Sequence, residues 1–281
     1  MTYQPGVYEM DEATYHQDPV PGGSLSASGA KLLLPPSCPA LYAWRRDHPK
    51  VSAEFDFGTA AHKLVLGAGQ PIWRLSYDDW RTKAAQAARD EARAQGYVPV
   101  LEPDWQRVEA MAAAIREHPV ASALLDPGRG KPEQSLFWQD DETGIWCRAR
   151  LDWLPHRDPA RRFIIADYKT AAAADPASIR KAVANYGYFM QAAWYAEGVR
   201  VLGLDPDPAF LFIFQEKTPP YLVTVAQLDT EAVSIGRARN TLAREMWRDC
   251  TQAGVWPGYS QDIELITLPP WAARTEGDYL T

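Results

Sequence analysis

The sequence pattern changes near residue 127, and this change limits the fold that the chain can adopt. Most segments between residues 26 and 126 are helical in character, and DDWRTKAAQAARDEARAQG is the strongest because alanine and straight-chain polar residues favour helices. Three strand-like segments, EQSLFWQ, IWCRARLDWLP and RFIIADYKT, follow and are rich in aromatic and β-branched residues. Two helical segments, two strands (AFLFIFQEK and YLVTVAQL) and a long helix complete the pattern. This order predicts an α/β fold with a central mixed β-sheet flanked by helices.

The chain of 281 residues is predicted to form one domain, because it shows neither an internal repeat nor a long linker. Its parts are a mainly helical N-terminal half (1–126), a sheet-containing core (127–250) and an irregular C-terminal tail (251–281). Residues 1–24, rich in proline, glycine and acidic residues, are also predicted to be irregular.

Capping and stop signals predict where several helices begin and end. Ser26 or Ser28 is expected to cap the first helix, because short polar side chains accept hydrogen bonds from free helical N–H groups. Asp229 is expected to do the same for the last long helix. Gly67 and Gly96 are predicted to end two helices, and the helix that starts at CPALYAW is predicted to stop near residue 49.

Net charge and cysteine usage narrow the class of protein. The net charge of −7 argues against a basic protein that coats nucleic acid, but not against an enzyme that binds DNA in a local groove. Cys38, Cys147 and Cys250 lie far apart and match no zinc-binding spacing, which favours a reducing compartment. No signal peptide and no apolar run of about 20 residues is visible, so we expect a cytoplasmic protein without a membrane partner.

Strand alternation places polar residues of two strands on defined faces. In CRARLDW, Arg148, Arg150 and Asp152 share one face. In FIIADYK, Asp167 and Lys169 share one face. If the two strands pair as a hairpin through the turn-like LPHRDPARR, Asp152 and Asp167 converge at one end of the pair.

Two convergent carboxylates repel each other, so proteins place them together mainly to share a proton or to bind a cation. Oxygen ligands favour Mg²⁺, which keeps several waters and takes one or two carboxylates together with substrate phosphate oxygens. Lys169 beside such an ion would orient a water or stabilise charge on a phosphate. The same pattern also occurs by chance at solvated strand ends. Taken alone, it does not distinguish a metal site from an exposed strand end.

Five segments occur in an informative order: GTAAHKLVLG, EQSLFW, CRARLDWLP, IIADYKT and YFMQAAWYAEGV. Together they resemble the PD-(D/E)xK nuclease superfamily and, within it, the RecE-like and RecB-like exonucleases of the exodeoxyribonuclease VIII type from phages and prophages. LSASGAKLLLPPSCPALYAW and WPGYS…LPPW extend the similarity over most of the chain. The resemblance implies a restriction-endonuclease-like core.

The resemblance also implies roles for individual residues and a cofactor. The implied metal ligands are His62, Asp152, Asp167 and the backbone carbonyl of Tyr168, and the implied catalytic residues are Asp152, Asp167, Lys169, Glu133, Gln191 and Tyr195. Gln191 and Tyr195 are four residues apart, which places them on one helix face. The expected ion is Mg²⁺, with Mn²⁺ tolerated by a histidine ligand. Three isolated cysteines exclude the four-cysteine iron–sulfur cluster of some relatives, and the ATP-binding G-x-x-x-x-G-K-[ST] motif is absent.

The implied activity is degradation of linear double-stranded DNA from its ends, 5′ to 3′, without ATP. The product would be a 3′ single strand for an annealing protein in recombination, and the enzyme would be a ring-shaped homo-oligomer in a bacterial or phage-infected cell. Two alternatives stay open. One is a RecB-like nuclease module or structure-specific endonuclease that serves a separate helicase, and the other is a DNA-end-binding protein that has the nuclease fold but no activity.

Several of these residues also have structural explanations. His62 lies among apolar residues, Glu133 begins a strand, and Tyr195 can be part of the core. Arg148 and Arg150 either contact DNA phosphates or pair with nearby acids. The burial and the partners of each side chain distinguish between these explanations.

Overall fold

A computed structural model describes residues 3–48 and 53–277. Its strands are β1 Gly6–Glu9, β2 Leu25–Ser26, β3 Ile72–Leu75, β4 Val98–Leu101, β5 Gly130–Gln139, β6 Trp146–Pro155, β7 Ile164–Ala171, β8 Ala209–Glu216 and β9 Val223–Gln227. Its helices are α1 Glu12–Gln17, α2 Ala27–Leu33, α3 Pro39–Asp47, α4 Ala53–Leu66, α5 Lys83–Ala94, α6 Glu102–Glu117, α7 Pro119–Leu124, α8 Pro176–Tyr186, α9 Tyr188–Val201, α10 Thr230–Ala253 and α11 Pro270–Gly277.

A mixed β-sheet forms the centre of the fold, as the sequence predicts. Its strands lie in the order β1-β5-β6-β7-β8-β9, and β2 pairs in parallel with β6. β7 and β8 are parallel, while the other neighbours in this order are antiparallel. β3 and β4 form a separate parallel pair. Because β1 and β2 come from the first 26 residues, the N-terminal part and the core share one sheet.

Helices cover both faces of the sheet. Phe212 and Ile213 are successive residues of β8, so their side chains point to opposite faces. Phe212 belongs to the apolar cluster that contains Trp194 of α9, together with residues of α2 and α10. Ile213 belongs to a second cluster, with Ala61 of α4 and Met111 of α6. The fold is therefore a helix–sheet–helix sandwich. Among the helices of the described ranges, none combines the length and the apolar character that a bilayer crossing requires.

The predicted helix signals lie at helix ends. Ser26 caps α2, and its side chain accepts a hydrogen bond from the Gly29 amide. Asp229 caps α10 in the same way. Gly67 and Gly96 follow α4 and α5 with φ of 76° and 79°, a conformation that glycine adopts without a side-chain clash. The predicted helix stop at residue 49 lies outside the described residues.

The prediction of irregular structure was wrong for parts of residues 1–24 and of the tail, whereas the first half is mainly helical as predicted. Residues 6–9 form β1, which pairs with β5, and residues 12–17 form α1. The short strands β3 and β4 interrupt the first half, and α11 lies in the tail. These elements are four to eight residues long, and such short elements are stabilised by tertiary partners more than by their own sequence pattern.

Helices α9 and α10 approach each other closely at Gly236. A Cβ atom at this position would clash with the backbone oxygen of Phe189 and would lie 2.8 Å from its carbonyl carbon and 3.1 Å from Ala193 Cβ. We expect Gly236→Ala to lower the free energy of unfolding by about 1–3 kcal/mol, because a packed core must shift to accept the methyl group. Urea denaturation measures this loss. Ser234→Ala, an exposed change on the same helix, is the control, and equal stability of the two variants would contradict the expectation.

Candidate metal centre and active site

A wide groove of about 1780 Å³ runs along one end of the sheet. Its walls come from the N-terminal segment, α2, α4 and the start of α9, and its floor comes from β5 and β6. The groove contains many of the predicted site residues, which are His62, Glu133, Arg148, Arg150, Asp152, Gln191 and Tyr195. Residues that lie 133 positions apart in the chain, from His62 to Tyr195, are therefore brought to one cleft.

Three of these side chains form a candidate metal centre. One potential ligand atom from each of His62, Glu133 and Asp152 lies within 4.8 Å of the other two. His62 comes from α4, Glu133 from β5 and Asp152 from β6. The group differs in one member from the predicted set, because Glu133 takes the place expected for Asp167. The predicted roles of Asp167 and of the Tyr168 carbonyl as ligands stay predictions.

Asp152 lies where β6 and β7 separate. The two strands are joined by one bridge pair, Trp153 with Ala166. Beyond it, the backbone N–H of Tyr168 donates to the Asp152 carboxylate at 2.8 Å instead of to a strand carbonyl. The carboxylate also faces His62, whose Nδ1 lies 3.6 Å from Asp152 Oδ2. The opening between the strands thus fixes the carboxylate and leaves it facing the imidazole.

Glu133 has an unusual backbone conformation. Its φ is 55°, in the left-handed region that a side chain other than glycine rarely adopts, and such strain concentrates at functional sites. The β5–β6 register runs from Pro132–Trp153 to Gln134–Leu151 and omits a Glu133 pair. The Glu133 carboxylate accepts from Arg150 Nε at 2.6 Å. The register on either side places positions 133 and 152 opposite each other, so the two carboxylates are cross-strand neighbours.

A second group, Asp167, Lys169 and Gln191, lies beside the candidate metal centre. Lys169 Nζ is 2.5 Å from Asp167 Oδ2, and Gln191 Nε2 donates to Asp167 Oδ1 at 2.7 Å. The prediction that Asp167 and Lys169 share a face of β7 is confirmed by this contact. The Lys169 ammonium also lies 5.2 Å from the ring centroid of Tyr188, a residue that the sequence analysis did not single out.

Burial raises the pKa values of the three carboxyl groups at and beside the candidate metal centre. It raises the pKa of Asp167 to about 6, and the Asp152 charge adds to this effect while Lys169 opposes it. Burial likewise raises the pKa of Asp152. The pKa of Glu133 is raised by burial and then by the negative charge of Asp152. A buried carboxylate whose charge raises the pKa of neighbouring carboxyl groups is the arrangement that a bound cation relieves.

The pKa values of the two basic groups of the site, Lys169 and His62, shift in opposite directions. Burial alone would lower the pKa of Lys169, but the Asp167 and Asp152 carboxylates outweigh burial and raise it. Lys169 is therefore an ammonium at neutral pH. The pKa of His62 is lowered, first by burial and then by the charge of Lys169. His62 is therefore a neutral imidazole at neutral pH, the form that binds metal ions.

Arg148 and Arg150 hold the floor of the groove in place. Arg148 forms an ion pair with Asp18 and donates to the Ser24 carbonyl at 2.6 Å. Arg150 donates to Glu133 and also to the Met10 carbonyl at 2.9 Å. Their guanidinium groups are thus engaged by protein acceptors, and DNA contact by these arginines stays a prediction. Sequence reasoning missed Asp18, Ser24 and Met10 as partners because they lie in the N-terminal segment that was predicted to be irregular.

Gln191 and Tyr195 lie on one face of α9, as predicted, and both line the groove. Gln191 contacts Asp167 directly, whereas Tyr195 packs edge to face against Phe210 at a centroid distance of 5.9 Å. Burial raises the pKa of Tyr195 well above its ordinary value, so its hydroxyl stays protonated. The structure therefore supports a positioning role for Gln191 and a packing contribution for Tyr195.

The raised pKa of Asp167 predicts a pH dependence of stability in chelator. Between about pH 6 and pH 4 the folded chain holds a proton on Asp167 that the unfolded chain has released, so stability rises as pH falls through this window. We expect the free energy of unfolding to gain about 1 kcal/mol from pH 7 to pH 5 relative to Asp167→Asn, which lacks the titrating group. Urea denaturation at both pH values measures the difference, and parallel pH profiles for the two proteins would contradict it.

Comparisons with known proteins agree with this geometry. Residues 41–269 match the model of a family described as a PDDEXK-like domain of unknown function. A crystal structure from Eubacterium rectale, described as a "Putative exonuclease", superposes with a TM-score of 0.61 over 95% of this chain and 98% of that chain. The two sequences are 11% identical, so this likeness shows the fold. Comparison with curated protein sequences gave no significant match.

Proposed function

The chain belongs to the PDDEXK-like domain family, and we propose that it is a Mg²⁺-dependent exodeoxyribonuclease acting on the ends of linear double-stranded DNA. The observation that carries the proposal is the meeting of His62, Glu133 and Asp152 in one wide groove, with the Lys169–Asp167 pair beside them. A solvated strand end would instead leave these groups apart and exposed. The structurally similar protein from Eubacterium rectale, described as a "Putative exonuclease", is consistent with the same activity.

The donor set fits a divalent cation. Two carboxylates and one neutral imidazole suit Mg²⁺ and also accommodate Mn²⁺. The raised pKa values of Asp152 and Glu133 express the electrostatic cost that a cation would remove. An ion held by His62, Glu133 and Asp152 would supply positive charge at the scissile phosphate and a more acidic water.

Lys169 contributes a fixed positive charge. Because its pKa is raised, it does not remove a proton from water at neutral pH. Its ammonium is held by Asp167, and Asp167 is held in turn by Gln191. This preorganised cation would stabilise the negative charge that develops on the phosphate during cleavage.

The direction of digestion and the product follow from the resemblance described above. We propose digestion from 5′ to 3′ without ATP, which leaves a 3′ single strand for an annealing protein in recombination. A groove open to solvent is compatible with a duplex end. The net charge of −7 means that binding depends on local cations in the groove and not on the overall charge.

We also propose that the chain forms a homo-oligomer through its C-terminal segment. Four apolar residues in this segment have most of their surface exposed to solvent: Ile263, Leu265, Ile266 and Leu268. A contiguous exposed apolar stretch marks an interaction surface, and a second copy of the chain is the partner that a processive ring requires. Light scattering should show an oligomer for the wild type and a monomer when the four residues are replaced by serine. A monomeric wild type would contradict the proposal.

The decisive experiment for the activity uses linear duplex DNA labelled at one 5′ or 3′ end. We expect loss of DNA from the ends with Mg²⁺, no loss with chelator, and no loss of covalently closed circular DNA. Cleavage of circular DNA would favour an endonuclease. DNA binding without metal-dependent cleavage would favour a non-catalytic end-binding protein.

A further inference from the structure

The wall of the groove next to Lys169 carries a second group of residues, Lys31, Arg45 and Tyr186. All three line the same groove as Asp152. They come from α2, α3 and the end of α8. None of them was singled out by the sequence pattern, and the chemistry at the metal centre does not use them.

The two cations lie close together without an acidic partner. Within the described ranges, no carboxylate forms an ion pair with Lys31 or Arg45. Burial and the charge of Arg45 lower the pKa of Lys31. Lys31 Nζ donates to the Tyr186 carbonyl at 3.0 Å, which fixes the ammonium at the junction of α8 and α9. Two neighbouring positive charges in a groove favour an anion between them.

The backbone at this junction is adapted to Lys31. Gly187 has φ of 65°, and a Cβ atom there would lie 2.8 Å from Lys31 Cδ. The lysine stem therefore packs closely against the Gly187 backbone, and a side chain at this position would force the stem to move. This contact holds the ammonium in one position, whereas a free surface lysine samples many rotamers.

An exposed aromatic ring lies beside the cations. Tyr186 is 59% exposed to solvent. Its ring is 5.6 Å from that of Tyr188, with an interplanar angle of 33°, and the Tyr188 ring contacts the Lys169 ammonium. A continuous series of contacts thus joins Lys169 to Lys31 through two tyrosines. Exposed aromatic rings next to cations are the means by which proteins bind unpaired nucleotides.

We propose that Tyr186, Lys31 and Arg45 form a seat for an unpaired nucleotide of the substrate DNA, adjacent to the cleavage position. The base stacks on the Tyr186 ring, and Lys31 and Arg45 hold its phosphate. The inference rests on the proposed nuclease function and specifies which form of DNA the groove binds. It predicts that a duplex with a short single-stranded overhang binds more tightly than a blunt duplex.

Binding in chelator tests the seat without cleavage. Fluorescence anisotropy should show that Tyr186→Ala weakens binding of an overhang duplex about 5- to 100-fold, since stacking of one base contributes in that range. Binding of a blunt duplex should change less than twofold, and Tyr186→Phe should bind the overhang like the wild type because the ring is retained. Tyr259→Ala, another exposed tyrosine that lies outside the groove lining, is the matched control.

The salt dependence of binding tests the phosphate contact independently. Arg45→Gln should reduce the slope of log binding constant against log salt concentration by about 0.7, the contribution of one phosphate contact on a single strand. Arg237→Gln, an exposed change on α10, should leave the slope unaltered. An unchanged slope for Arg45→Gln, or wild-type overhang binding by Tyr186→Ala, would overturn the seat. Metal-dependent cleavage by the wild type is measured separately. The proposed nucleotide seat can therefore be refuted while the nuclease function is supported, and the nuclease function can be refuted while the seat is supported.

Discussion

Asp152→Asn is expected to reduce metal-dependent DNA cleavage about 10³-fold, because it removes a charged ligand that contributes several kcal/mol to the metal centre. The substitution keeps the size of the side chain and an oxygen that can accept from the Tyr168 amide. It also removes a negative charge beside Glu133, whose pKa that charge raises. We therefore expect the metal-free variant to be at least as stable as the wild type, so loss of activity is not loss of fold.

Thermal unfolding with and without Mg²⁺ measures whether Asp152→Asn still binds the ion. A ligand that binds the folded state raises the unfolding temperature, so Mg²⁺ should stabilise the wild type and not Asp152→Asn. Asp158→Asn is the matched control, since Asp158 lies on an exposed turn and pairs only with Arg161 among the described side chains. Full cleavage by Asp152→Asn would refute the assignment of the metal centre.

Lys169→Met is expected to reduce cleavage about 10²- to 10³-fold while leaving the metal centre intact. Removal of one preorganised group that stabilises transition-state charge has an effect of this size. Methionine keeps the length and the apolar stem but lacks the ammonium. Because Lys169 lowers the pKa of Asp167, the variant should hold a protonated Asp167 at a higher pH than the wild type does.

Lys169→Met and Asp152→Asn are distinguished by their response to Mg²⁺. The candidate ligands His62, Glu133 and Asp152 remain in Lys169→Met, so Mg²⁺ should still raise its unfolding temperature. DNA binding in chelator should also persist. Lys181→Met, an exposed change on α8, should cleave like the wild type. If Lys169→Met cleaved DNA at the wild-type rate, the catalytic role of the lysine would be wrong.

The site residues on strands were predictable because strand geometry is local. Alternation along β6 and β7 is sufficient to place Asp152, Asp167 and Lys169 on defined faces, and the structure brings Asp167 and Lys169 into contact. The position of Glu133 as a neighbour of Asp152 was not predictable in this way. It depends on the register of β5 and β6, in which positions 133 and 152 fall opposite each other, and alternation within one strand does not set that register.

The sequence by itself determined the α/β class, the helix caps and the local faces of the strands, because these depend on contacts a few residues apart. The tertiary structure alone decided which groups share the groove. It brought Glu133 to His62 and joined Asp167 to Gln191. It also engaged Arg148 with the N-terminal segment. These pairings join residues tens to more than a hundred positions apart, and only the packing of the complete sheet with its helices determines such distances.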